Sequence, residues 1–122
     1  MSGKKTLYEE IGAANVEAVI TEFYIRAFQD PIISHFFVGK SRDELTRKQI
    51  GFAASMLGSK AGYSGPPLDA IHRPLPIRKP HFGRRQVLMR EVLVDKNIPS
   101  HLAEEWLRRE NLLYSKIVIP KK

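Results

Sequence analysis

Three side chains in this 122-residue chain are of types that do chemistry, and they stand where a plain core would not ask for them. Tyr24 falls on the apolar face of a stretch in which Val16, Val19, Ile20, Phe23, Ala27 and Phe28 recur at helical spacing. Gln49 interrupts a second apolar stripe, where Leu45, Gln49, Phe52 and Met56 stack above one another on a helix. A buried amide without partners costs about 1–3 kcal/mol, so Gln49 either lies at the edge of that face or meets something polar. His72 precedes most of the prolines of "SGPPLDAIHRPLPIRKPHF", residues 64–82, a segment with five prolines that can be neither a long helix nor a central strand. Taken singly, these are a core tyrosine, a helix-edge glutamine and a loop histidine. Taken together, a phenol, an amide and an imidazole ask for one polar ligand held between two helices.

Other chemistries are poorly served. The chain has no phosphate loop, no H-E-x-x-H and no serine in a nucleophile elbow. With no cysteine, disulfides, thiolate metal sites and a thiol nucleophile are excluded. His35, His72, His81 and His101 are not at the spacing of a multi-histidine metal cluster. One imidazole is nevertheless enough for haem, which needs a proximal histidine, an apolar slot and a few polar groups on the opposite face. On residue type alone, His72 stays open between such a ligand and a partly exposed loop histidine, the commoner case.

The elements that must position these residues read as helices. Thr6-x-x-Glu9 is a capping box opening a short helix that Gly12 ends. A second helix runs from Asn15 to Gln29 and stops at Asp30-Pro31. The apolar corner "IISHFFVGK" follows, and Ser41-x-x-Glu44 opens a third helix to about Leu57, before Gly58-Ser59. After the proline segment, periodicity resumes from His81 to about Val94 through Phe82, Met89, Val92 and Leu93. Ser100 reads as the N-cap of a last helix, His101 to Val118, with Leu102, Trp106, Leu113 and Ile117 inward. No segment alternates as a strand. The chain reads as one all-α domain over residues 1–122, with four main helices and a long irregular middle.

Residues 1–66 hold 8 basic and 7 acidic side chains, and residues 67–122 hold 12 and 6, so the net charge of +7 is concentrated in the second half. Such a half can meet nucleic acid, an anionic surface or an anionic ligand, or can be simply a solvated face. No stretch approaches the ~20 apolar residues of a membrane span, and no apolar region follows the lysines of "MSGKKTLYEEIG". A cytoplasmic protein that does not enter the membrane is expected.

"LYEEIG", "EFYIRAFQDP", "SHFFVG", "KQIGFAASMLG", "YSGPPLDAIH" and "HF", in that order and spacing, resemble the truncated haemoglobins over about residues 6–118. These are small globins with a two-over-two helical sandwich around haem. The resemblance implies haem b as cofactor, with His72 as the axial ligand of the iron. It implies distal hydrogen bonding by Tyr24 and Gln49, and porphyrin contacts by Phe37 and Phe52. Leu45 takes the place where other globins often carry a distal histidine, and Tyr63 and Leu68 match positions at the haem edge and proximal side. Lys48, one turn beyond Leu45, matches a place that some relatives use for a sixth iron ligand; a solvated lysine or a propionate partner is the commoner use. The prolines then make sense as a frame for a proximal helix reduced to a turn.

The Tyr24/Gln49 pair, with Ala53 where others carry tryptophan, favours the first group of the family over the third. "HRPLPIRKPHFGRR" looks more like the third, although Arg85 aligns where that group usually places tryptophan. The implied ligands are dioxygen, nitric oxide and carbon monoxide. Dioxygenation of nitric oxide to nitrate is compatible with the resemblance and would require a separate reductase, since no flavin or nicotinamide motif occurs. Two alternatives compete. One is a basic helical nucleic-acid-binding module, resting on the charged second half and "RKPHFGRR", although the aromatics fall in the expected core and not beside the basic residues. The other is a haem-free globin-like interaction module, resting on Arg85.

Overall fold

In the computed structural model, residues 5–59 and 79–114 are described; the side chains of residues 79–80 and 113–114 are not. They form five helices: α1 (Leu7–Ile11), α2 (Ala13–Ala27), α3 (Arg42–Met56), α4 (Lys79–Asp95) and α5 (Ser100–Tyr114). A 3-10 turn, Ser34–Phe37, lies between α2 and α3, and no strand occurs among the described residues. Helices α2 and α3 pack on each other, as do α4 and α5, and α2 joins the two pairs by packing on α4. The architecture is the two-over-two helical arrangement expected from the sequence.

Local signals account for most element ends. The Thr6 hydroxyl accepts from the Glu9 N–H at 3.1 Å, and the Glu9 carboxylate accepts from the Thr6 N–H at 2.9 Å, closing the capping box of α1. Ser41 caps α3 by accepting from the Glu44 N–H. The close of α3 is tied to α1, since the Tyr8 N–H donates to the Leu57 carbonyl at 2.8 Å. Gly58 makes that approach possible. Its φ of +102° is left-handed, and a Cβ there would lie 3.1 Å from Thr6 Cβ.

Three helices differ from the sequence expectation at their ends. Helix α2 starts at Ala13 and ends at Ala27, because Gly12 both ends α1 and leads directly into α2. Helix α4 begins at Lys79, two residues before His81, with Pro80 in its first turn, where a missing N–H costs nothing. Ser100 is inside α5 and not its cap; the Pro99 carbonyl accepts from the Leu102 and Ala103 N–H groups. The expected end of α5 at Val118 lies outside the described residues.

The core follows the expected faces. Val16, Val19, Ile20, Phe23 and Ala27 of α2 meet Ala53 and Leu57, with Met89, Val92 and Leu93 of α4 and Leu102, Ala103 and Trp106 of α5. Phe82 is only half-buried, whereas Leu88, absent from the expected inward set, is buried. No described helix is long and apolar enough to cross a membrane.

Candidate functional site

The first half of the site is built on α2 and α3. Tyr24 is 5% exposed and Gln49 4%, on two helices that pack together. Gln49 is therefore buried and not at the exposed edge of its face. Among the described residues its side chain makes no hydrogen bond, and its amide atoms are not among the sealed, unpartnered polar atoms, so the amide keeps some accessible surface.

Aromatic rings fix the tyrosine. The Tyr24 ring meets Phe23 edge-on at 4.9 Å and Phe37 edge-on at 6.0 Å, and Phe37 stacks on Phe28 at 4.7 Å. Phe37 is half-buried in the corner turn, Phe52 is buried on α3, and Leu45 is half-buried one helix turn before Gln49. This combination suits a flat apolar group carrying one polar ligand: aromatic walls, a phenol and an amide. Lys48 points away from that interior and is exposed. His72, Tyr63 and Leu68 lie outside the described residues.

Behind Tyr24 is a charged cluster that the sequence reading did not anticipate. Arg85 of α4 is mostly buried, with its guanidinium carbon 4.6 Å from the Phe23 ring centroid. It pairs at 3.6 Å with Glu110 of α5, which is only 2% exposed and accepts a 3.1 Å hydrogen bond from Trp106 Nε1–H. Glu110 Oε1 has no hydrogen-bond partner. The signal was present in the sequence: Glu110 follows Trp106 by one helical turn on the inward stripe, an acid among apolar residues.

Arg84 turns to a different carboxylate. Its guanidinium donates twice to Asp30 Oδ1, at 2.9 and 2.6 Å, and Asp30 Oδ2 accepts from the Ile32 and Ile33 N–H groups. The Arg84 hydrogen bond, aided by those N–H groups and opposed by burial, holds the Asp30 carboxyl below its ordinary pKa. Asp30 lies beyond the end of α2 at Ala27 and is not its stop. It locks the corner to α4.

These pairings bear on the two alternative readings. Arg90 pairs with Glu104, and Arg108 and Arg109 share Glu105, whose pKa they lower to about 2. Both arginines that close "RKPHFGRR" pair inward with acids and are not part of an outward basic face. Arg85 is accounted for by Glu110 and needs no lost pocket to explain it. The structure also brings His35 and His81 together, ring centroids 5.5 Å apart, with Phe36 between α4 and the corner. No group of three metal-ligating side chains occurs among the described residues. An open groove of about 720 Å³ between α1 and α5, floored by Leu7 and Leu102, contains none of the residues discussed for the site.

Two helical pairs, a short capped first helix and a phenol and amide buried between helices define a globin of the two-over-two kind. Residues 6–118 match the bacterial-like globin family, and the chain belongs to it. It is 32% identical over 103 residues to the Group 1 truncated hemoglobin GlbN of Mycolicibacterium paratuberculosis, covering 84% of this chain and 76% of that one. This fits the first group favoured from Tyr24 and Gln49. Among solved structures it is similar to the Group II truncated hemoglobin from Bacillus anthracis (25% identity, 98% of this chain and 100% of that one, TM-score 0.87). It also resembles the truncated hemoglobin from Tetrahymena pyriformis in its Fe(III) form (22% identity, 96% and 100% coverage, TM-score 0.86), a likeness of fold.

Proposed function

We propose that this chain is a cytoplasmic haem protein that binds dioxygen and, by the same chemistry, nitric oxide or carbon monoxide. In this reading His72 is the proximal ligand and Tyr24 and Gln49 form the distal hydrogen-bonding pair. The observation that carries it is Gln49, a buried residue whose amide makes no hydrogen bond among the described residues yet keeps some accessible surface, on a helix packed against that of a buried tyrosine. Membership of the globin family supports haem b as the cofactor.

When bound, ferrous haem supplies a metal centre that takes up a diatomic molecule reversibly. With haem bound, the Tyr24 hydroxyl would donate a hydrogen bond to the diatomic ligand, and the Gln49 amide would supply a second donor from the neighbouring helix. Each such bond is worth about 0.5–1.5 kcal/mol, and every 1.4 kcal/mol changes affinity about tenfold, so these two residues set retention of the ligand. Phe37 and Phe52 wall the slot and exclude water, and Leu45 closes it at the rim. By the resemblance, Tyr63 and Leu68 would belong to the haem edge and proximal side. Lys48, exposed on α3, would serve as a propionate partner in this reading.

The test is an absorption spectrum of the purified protein, as isolated and after hemin addition, oxidised, reduced and under carbon monoxide. A sharp Soret band at one haem per chain that shifts with carbon monoxide is expected. Loosely held hemin with no shift would reject the reading. His72→Ala is expected to weaken haem retention and alter the ferric and ferrous spectra; unchanged spectra would remove His72 as the ligand.

A further inference from the structure

We infer that Arg85 is a positioning residue for the distal ligand site, acting on Tyr24 through the ring of Phe23 and held in place by Glu110. The inference rests on the reading of Tyr24 as the distal hydrogen-bond donor.

The contacts run without a break from α5 to α2. Trp106 Nε1–H fixes Glu110 Oε2 at 3.1 Å, and the same oxygen meets the Arg85 guanidinium at 3.6 Å. Arg85 covers the Phe23 face at 4.6 Å, within cation–π range. Phe23, 1% exposed, presents its ring to Tyr24 at 4.9 Å, and Phe37 closes on Tyr24 from another direction at 6.0 Å. The Tyr24 ring is thus boxed between two phenylalanines, of which Phe23 carries the charged anchor. Phe23 is buried in the core and in edge-on contact with Tyr24, so a change in its ring orientation would be felt by Tyr24.

The orphaned Glu110 Oε1 argues against stability as the reason for this arrangement. Desolvating a guanidinium and a carboxylate costs several kcal/mol per ion, and the pair recovers that only when its remaining polar atoms are satisfied. Glu110 Oε1 is not satisfied. An apolar pair would fill the same space more cheaply, whereas a charged pair holds one ring in one orientation, which suits a hydroxyl that must be aimed.

The test compares oxygen dissociation, the carbon monoxide stretching frequency and the Tyr24 ring-proton resonances of the ferrous carbon monoxide form. The proteins are wild type, Arg85→Met, Arg85→Lys, Tyr24→Phe and the double variant Tyr24→Phe/Arg85→Met. Arg85→Met is expected to speed oxygen dissociation roughly three- to tenfold, a pairwise coupling of ordinary size. It should also move the stretching frequency toward that of Tyr24→Phe and shift the Tyr24 resonances. Arg85→Lys, which keeps the charge, should restore much of each, and the double variant should release oxygen no faster than Tyr24→Phe alone. Wild-type values in Arg85→Met beside altered ones in Tyr24→Phe would overturn the inference and leave the site reading intact. Additive effects in the double variant would also overturn it. If Tyr24→Phe itself changes nothing, the site reading fails and the inference with it. Should Arg85→Met not fold, Glu110→Gln releases the guanidinium with little change of shape and carries the same expectations.

Discussion

Asp30 and Glu110 are both buried carboxylates, each met by an arginine from the same turn of α4, and they are satisfied very differently. Asp30 receives four donors: two from Arg84 on Oδ1, and the Ile32 and Ile33 N–H groups on Oδ2. Glu110 receives one hydrogen bond, from Trp106, and a longer contact from Arg85, and Oε1 is left without a partner. A carboxylate with its lone pairs occupied repays its desolvation; one with an orphaned oxygen does so only in part. The first cluster is therefore a structural lock between the corner and α4. The second is satisfied only in part, and it lies behind Phe23 and Tyr24, where the proposed positioning role would give a reason for keeping it.

Breaking the lock should have the largest effect. Arg84→Met leaves the Asp30 carboxylate buried without its cation and should cost about 3 kcal/mol, read from urea denaturation in one fixed haem state. The acid limb sharpens the same point. Because the folded pKa of Asp30 lies below the unfolded value of about 3.9, its stabilisation is complete above that pH and is lost as pH falls through the folded value. The stability gap between wild type and Asp30→Asn should therefore be constant from neutral pH to about pH 5 and close below about pH 4. A gap that persists undiminished at pH 3 would show that the Asp30 charge is not what matters. Glu105 is also depressed, to about 2, but it lies in solvent-screened pairs, and Glu105→Gln should leave the acid limb nearly unmoved.

Trp106→Phe attacks the other cluster. It removes the only hydrogen bond to Glu110 among the described residues and leaves a small void in the core, for an expected loss of about 2 kcal/mol. Trp106 is the single tryptophan, so the transition has to be followed by circular dichroism.

The contrast between the clusters also marks what the sequence could reveal. Capping at Thr6 and Ser41 was legible because its partners lie three residues away, and the inward faces of α2 and α3 were legible from periodicity. Gln49 stood out as an amide on an apolar stripe, and burial bears that out. Glu110 obeys the same logic one turn after Trp106 and could have been read the same way. The Asp30–Arg84 lock could not: its partners are 54 residues apart, and Asp30 before a proline already had a sufficient local explanation as a helix stop. Arg85 was legible as an anomaly, but its resolution required α5 to be folded against α4. Pro80 hid the start of α4, since a proline reads as a break unless the first turn is known to begin there. The site residues His72, Tyr63 and Leu68 lie outside the described residues, and their roles rest on the resemblance.

The smallest expected effect separates the two clusters most directly. Arg84→Met with Asp30→Asn keeps an oxygen to accept the Ile32 and Ile33 N–H groups but removes both short hydrogen bonds from the guanidinium, and should still cost about 2 kcal/mol. Arg85→Met with Glu110→Gln keeps an acceptor for Trp106 Nε1–H and removes a pair whose contact is 3.6 Å and whose Oε1 was never satisfied. Neutralising both partners together avoids an uncompensated buried charge, so that double variant should unfold within about 1 kcal/mol of wild type, or slightly above it. A loss comparable to that of the Arg84/Asp30 variant would make the two clusters alike, and Arg85 and Glu110 would then be explained by stability alone. Unchanged stability accompanied by faster oxygen release would mean that this buried pair is kept for the ligand and not for the fold.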